Sequence, residues 1–442
     1  MRYSKYPRYE PSSVEWLGEL PHGWSEKPLK FLGDTILGLT YSPEEITDEA
    51  SGTLVLRANN IQDRRLVADD PVYVCADAPE KLKLRSGDIL ICSRNGSRRL
   101  IGKCGRVTTE FVGCYFGAFN TVFRTQASDY LFYVLNSSLF EFQSGSYLTS
   151  TINQLTVAAL NSFVVPVPSP EEQKKIADFL DWKTGQIDAL IAKKQALIEK
   201  LKEKRLAVIT QAVTKGLDPD IPMYDSKVSW LGKVPVGWTV KKLKYIATVR
   251  YGLGEPPEYV DEGLNLVRAT DISKGSIATD GFKKVRAEDV PWERNPKLRA
   301  GEIIVVRSGA YTGDSAIVPT DLEGSIAGFD MVVTATEISS KILAWALLSP
   351  YLLEAQIYQT RMRAAQPHLN AEELGNFLVI VPAPSEQESI ALFIENETAR
   401  IDRLMDKTRL AITRLTEYRT ALITAATTGQ IDVRKVAIPA QA

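Results

Sequence analysis

Two stretches of the chain carry apolar residues at alternating steps of four and three. The first holds Ile176, Leu180, Ile187, Leu190, Leu197, Leu201 and Val208, with Lys183, Lys194 and Lys204 in the intervening places. The second holds Ile390, Ile394, Ile401, Leu404, Leu415 and Leu422, with Glu397, Thr408, Ala411 and Tyr418 between them. A 3.5-residue period kept for more than four heptads predicts a coiled coil, with these apolar residues as its seam. A helix packed on its own domain would show a similar stripe, but about forty residues exceed the face that a module of this size offers. Each stretch opens on Pro followed by acidic residues (PSPEEQ, PAPSEQ) and closes on Gly216 or Gly429, which are helix start and stop signals. Lysines on the stripe weaken the seam and fix its register. Gly185 inside the first helix costs about 1 kcal/mol against Ala.

Ahead of each helix the pattern changes. Short runs such as TLVLRA, PVYVC, DILICS and NTVFRT alternate with Gly and Pro, and a helix is expected near Leu131–Phe142. The whole arrangement occurs twice. VEWLGELPHGWSEKPLKF from Val14 recurs as VSWLGKVPVGWTVKKLKY from Val228, LRSGDILI from Leu84 as LRAGEIIV from Leu298, and FVVPVPSPEEQ from Phe163 as FLVIVPAPSEQ from Phe377, all 214 residues on. Between these anchors the offset slips to 211 (Arg57 with Arg268, Gly117 with Gly328) and returns, as divergent loops on a kept frame require. The expected fold is α+β: two β-rich α/β modules joined by two long helices that form an antiparallel coiled coil, an internal pseudo-two-fold duplication. The boundaries are a module at 1–169, a helix at 170–216, a second module at 217–383, a helix at 384–430 and a tail at 431–442. The repeated tryptophans Trp16, Trp24, Trp230 and Trp238 are expected to anchor cores.

Roughly 44 helical residues extend about 65 Å, close to two turns of B-DNA at about 34 Å each. Such a rod could hold two readers at a set separation on one duplex, and could equally space two protein-binding modules.

Composition narrows this. The 442 residues suit two to four domains at roughly 100–200 residues each. Lys plus Arg is 53 against 54 for Asp plus Glu, so bulk charge does not hold this protein on nucleic acid. No apolar run approaches the roughly 18 residues of a membrane span, and MRYSKYPRYE has no secretory signal character. Cys75, Cys92, Cys104 and Cys114 form no C-x-x-C pair, which points to reduced, cytoplasmic thiols without zinc. There is no phosphate-binding G-x-x-x-x-G-K-[ST] loop, no Asn-Pro-Pro-Tyr-like tetrapeptide, no convincing nuclease constellation and only two histidines, His22 and His368. No catalytic residue and no metal ligand is expected.

WLGELPHGW and WLGKVPVGW ahead of β-rich modules, then PSPEEQKKIADFLDWKTGQIDALIAKKQALIEKLKEKRLAVITQAVTKG, resemble the specificity subunit of type I restriction–modification systems. The resemblance runs over essentially the whole chain, in order and twice. It implies that each module is a target recognition domain reading one half of a split DNA site. It also implies that the helices act as spacer and dock two methyltransferase subunits, and that an endonuclease/translocase subunit joins them. S-adenosylmethionine, ATP and Mg would then be bound by those partners and none by this chain. The alternative is an interaction scaffold with two ligand-binding β-modules on a rod.

Base edges are read by Arg, Lys, Asn and Gln, with hydroxyl side chains assisting. The densest such loop holds Arg94, Asn95, Ser97, Arg98, Arg99 and Lys103; its second-copy counterpart offers Arg307, Ser308 and Tyr311. A second pair of loops holds Arg57, Asn59, Asn60 and Arg64 against Arg268, Thr270, Asp271 and Lys274; Arg57 and Arg268 coincide and suit scaffold or phosphate contact, while Asn59, Asn60, Thr270 and Asp271 differ and could discriminate bases. A third loop in the second copy holds Arg361, Arg363 and Gln366. Residues 1–169 contain 17 basic and 18 acidic side chains, so weak DNA binding by the lone chain is expected.

Overall fold

The computed structural model describes residues 3–76, 78–147, 153–361 and 368–439. It divides into two units, Met1–Gln195 with Arg409–Ala442, and Ala196–Thr408. Each unit therefore takes one β-rich module, the first half of the helix that follows it and the second half of the other helix. The division falls inside both long helices and not at their ends.

In the first unit, an antiparallel sheet orders the strands Cys104–Arg106, Ile89–Cys92, Asn120–Arg124 and Asp34–Leu37. Ile89, Leu90, Ile91 and Cys92 are all buried, the run expected of a strand covered on both faces. A second sheet orders Tyr115–Phe116, Thr53–Leu56, Tyr73–Val74 and Ile46–Thr47, with Tyr115–Phe116 parallel to Thr53–Leu56. The helix expected near Leu131–Phe142 is two helices, Ser128–Val134 and Ser138–Tyr147.

The second unit is built alike. Its antiparallel sheet orders Ala247–Tyr251, Met331–Ala335, Ile303–Val305 and Ser315–Ile317, and its other sheet orders Tyr259–Val260, Lys283–Val285, Leu264–Val267 and Ile326–Ala327. Again the last strand lies parallel to its neighbour, Leu266 opposite Ile326.

The long helices are Pro170–Lys215 and Pro384–Thr427. Ser169 begins the first: its hydroxyl accepts from the Glu172 amide and its carbonyl from Gln173. Pro at the first helical position and the acidic first turn suit the N-terminus, where amides lack partners and the dipole is positive. Gly216 and Gly429 follow the ends at φ of 77° and 72°, a conformation that carries a Cβ penalty for other residues. In the first unit, Ile176, Phe179, Leu180 and Ile187 share a core with Leu422, Ile423 and Ala426. In the second, Ile209, Ala212 and Val213 share one with Ile390, Ala391 and Ile394. The start of each helix thus meets the end of the other, which is antiparallel pairing.

The seam differs from the expected one at three of its thirteen apolar places. Ile176, Leu180, Ile187, Leu201, Ile390, Ile394, Ile401 and Leu422 are buried as expected, and Val208 and Leu415 are half-buried. Leu190, Leu197 and Leu404 are exposed. Their C-terminal neighbours Ile191, Ile198 and Met405 face inward instead, as do Thr184 and Thr398 in place of Lys183 and Glu397. The steps run four then three where the expectation ran three then four. Adjacent apolar pairs (Leu190–Ile191, Leu197–Ile198) satisfy either order, and only the partner helix selects one.

Two further expectations change. Trp238 is buried and Trp24 half-buried, but Trp16 and Trp230 are exposed, so the tryptophans do not all anchor cores. The segment expected as a tail also belongs to the first unit: Asp432 bridges to Ser4, and Val433 lies in the core with Phe179. No helix among the described residues is long and apolar enough to cross a membrane.

Candidate nucleic-acid interface

In the first unit three separated segments meet at one edge of the sheets. Leu39–Tyr41, Arg57–Asn59 and Gly117–Asn120 line a cleft of about 570 Å³. The approach is close: a Cβ on Gly38 would run into the Phe116 and Gly117 carbonyls. Gly252 stands in the same relation to Ala327 and Gly328 in the second unit. These glycines let the two loops lie against each other at the sheet end.

Arg57 donates through Nη2 to the Asp70 carboxylate at 2.6 Å, while its Nε is buried without a partner. Asn59 is exposed at the rim. Asn60 is buried: its Oδ1 accepts from the Arg57 amide and its Nδ2 donates to the Asp69 carbonyl. Arg64 turns inward and donates to Asp188 of the first long helix at 3.0 Å. Burial, and then the positive charge of Arg419, pulls the Arg64 guanidinium below its ordinary pKa. Asn60 and Arg64, expected as readers, are thus structural: the Asn60 amide is bonded within the unit, and Arg64 is held through Nη2 by Asp188 while its Nε and Nη1 are buried without a partner.

The loop after Ile89–Cys92 exposes Arg94, Ser97, Arg98 and Arg99. The Asn95 side chain accepts from the Ser97 amide and closes the turn. Arg98 donates to the Gly145 carbonyl and Lys103 to the Ile61 carbonyl. Arg94 makes no side-chain hydrogen bond among the described residues, and its guanidinium stands 5.3 Å from the centre of the Phe119 ring.

In the second unit, Arg268 donates to both oxygens of Asp271, at 3.1 and 2.8 Å. Asp271 is buried and caps the same turn as Asn60, so it too is structural. Thr270 and Lys274 are exposed, and Tyr311 is exposed at its loop tip. Ser308 is half-buried and bridges to His368. Arg307 lies over two rings, 3.5 Å from the centre of Phe329 and 4.9 Å from that of Tyr251. Its amide donates to Asp330, whose carboxyl is buried and whose other oxygen has no partner. Burial raises the Asp330 pKa to about 6, against the lowering effect of Arg307. Arg361 ends a short helix, Gln359–Arg361, and Arg363 and Gln366 lie outside the described residues.

Sequence reasoning missed Phe119, Asn120, Phe329 and Asp330. The strand registers that set Leu90 opposite Val122 and Ile304 opposite Val332 make Phe119–Asn120 and Phe329–Asp330 equivalent. The signal was present as Phe-Asn against Phe-Asp ahead of corresponding strands, but the anchor glycines drew the alignment one residue out.

The arrangement can be compared with known proteins. Residues 72–202 match the family described as type I restriction modification DNA specificity domain. The chain is 24% identical to the EcoKI specificity subunit of Escherichia coli K12, over 94% of this chain and 91% of that one. It is 25% identical to the StySPI specificity subunit of Salmonella potsdam, over the same shares. A solved chain from a study of complex assembly and conformational transition of the type I R-M system superposes with a TM-score of 0.67, covering 92% of this chain and 98% of that chain at 14% identity. Along nearly its whole length the chain is thus similar in sequence to specificity subunits of type I restriction enzymes, and it shares the fold of a solved chain of the type I R-M system.

Proposed function

We propose that the chain is the sequence-specific DNA-recognition subunit of a type I restriction–modification complex. Each unit reads one half of a bipartite site in double-stranded DNA, and the paired helices set the spacer and dock two methyltransferase subunits, to which restriction subunits add. One observation carries this reading: the same sheet frame occurs twice, and the side chains at corresponding loop tips differ. Arg94 and Asn95 stand where the second unit has Ser308 and Gly309, and Asn59 where it has Thr270. A kept frame with altered tips is what two readers of unlike half-sites need, because base identity is read by tip side chains. The chain is non-catalytic in this reading and acts in the cytoplasm. S-adenosylmethionine, ATP and Mg belong to partner subunits, where adenine methylation and ATP-driven translocation would occur.

The test is a swap of residues 1–150 for the corresponding module of another specificity subunit. Co-expression with methyltransferase subunits and methylome sequencing should show one half-site changed and the other kept. An unchanged methylation motif would refute the assignment of the units as readers.

A further inference from the structure

We propose that Arg94 in the first unit and Arg307 in the second each read a guanine, and that Phe119 and Phe329 are positioning residues holding those guanidinium planes. This rests on the recognition reading above and names the bases and side chains it leaves open.

The choice follows from where the candidate guanidinium groups are committed and which of the uncommitted ones lie on a ring; Arg99 is exposed with neither a hydrogen-bond partner nor a ring beneath it among the described residues. Arg57 is tied to Asp70, Arg64 to Asp188, Arg98 to the Gly145 carbonyl and Arg268 to Asp271. Arg94 and Arg307 make no side-chain hydrogen bond or ion pair among the described residues, and each lies on the ring of a partly exposed phenylalanine. The arrangement suits base reading for a geometric reason. An aromatic ring engages the face of the guanidinium, whereas bidentate contact with guanine O6 and N7 uses its edge. Stacking therefore leaves the reading donors free while it removes rotamer freedom that a mobile arginine would lose on binding.

The two copies reach this contact differently. By strand register Arg307 corresponds to Ser93, and Arg94 to Ser308. The arginine is thus one residue out of step between copies, yet in both it lies over the equivalent phenylalanine. Simple retention of an ancestral residue does not give that result; a requirement for the stacked arginine does. The second copy is the more constrained, since Tyr251 adds a second ring and Asp330 accepts from the Arg307 amide at 3.3 Å.

The experiment is methylome sequencing of cells expressing the full chain with methyltransferase subunits, comparing wild type with Phe119→Ala, Phe329→Ala, Phe329→Tyr and Arg307→Lys. Phe329→Ala should relax discrimination at one guanine of one half-site by roughly tenfold or more, and Phe119→Ala should do so in the other half-site. Phe329→Tyr keeps the ring and should keep the motif. Arg307→Lys keeps the charge but loses the planar fork, and should relax the same guanine as Phe329→Ala while leaving both rings in place. A bipartite wild-type motif whose guanines are indifferent to these changes overturns the inference alone. So does a uniform fall in methylation without altered preference, which marks a merely structural ring. A wild-type chain that yields no bipartite motif overturns the recognition reading and this inference with it.

Discussion

Asp188 accepts a hydrogen bond from Arg419 across the antiparallel helices, and the equivalent residues 214 positions away, Asp402 and Arg205, pair in the second unit. The duplication has thus kept an ion pair between helices, and the two copies differ in what surrounds it. In the first unit Arg64 of the module adds a third member on Asp188. In the second, Arg205 lies 5.6 Å from the centre of the Trp345 ring.

The two pairs should differ in weight. Side chains of Asp188, Arg64 and Arg419 are each at most 20% exposed, whereas Asp402 is 44% exposed. Asp188→Ala leaves two largely buried guanidinium groups without their carboxylate and should cost about 3 kcal/mol. Asp402→Ala breaks a pair open to water and should cost under about 1 kcal/mol. Denaturant unfolding of the two full-length variants checks the order; equal losses would contradict it.

Adjacent seam residues give a second test. Ile198→Ala removes a buried side chain from the helix interface and should cost about 2–4 kcal/mol. Leu197→Ala changes an exposed side chain and should stay within about 0.5 kcal/mol. Thermal melts of both variants decide whether the structural register or the one expected from periodicity holds.

Asp330 gives a pH dependence. Its pKa is 3.8 unperturbed and about 6 here, so between these values the folded state binds more protons than the unfolded. Stability from this group therefore falls as pH rises from about 4 to 6, and the loss is complete above that window. Asp330→Asn, which copies Asn120 of the first unit, should remove this dependence and raise stability at pH 7, by on the order of 2–3 kcal/mol at most. Urea unfolding at pH 5 and pH 7 measures it; a variant less stable than wild type at pH 7 would contradict the assignment.

The tryptophans that end the repeated motif tie it to the helix starts. The Trp24 indole donates to Glu172, and the Trp238 indole to Glu386. Trp238→Phe removes the donor from a partly buried carboxylate and should cost about 1–2 kcal/mol beyond the lost ring volume. Trp230→Phe, at an exposed position, should change little. Unfolding midpoints of the two variants separate these outcomes.

The duplication, both helix spans and the helix ends are properties of the sequence itself. Periodicity, Pro-acid starts and Gly stops act within a few residues, so they are readable without a partner. The seam at Leu180, Ile187 and Leu201 was equally legible. The places at Leu190, Leu197 and Leu404 were not, because Leu190 and Ile191 present the same apolar signal and the choice between them is made by the opposing helix. The candidate site divides in the same way. Loop composition marked Arg64, Arg94 and Arg307 alike as DNA contacts, and Arg57 and Arg268, which coincide in the two copies, as scaffold or phosphate contacts. Which guanidinium groups stay free was decided by partners remote in the chain, such as Asp188 for Arg64, 124 residues away, and by rings that stack on Arg94 and Arg307. An arginine's availability depends on what folds beside it, and one-dimensional pattern holds no record of that neighbour.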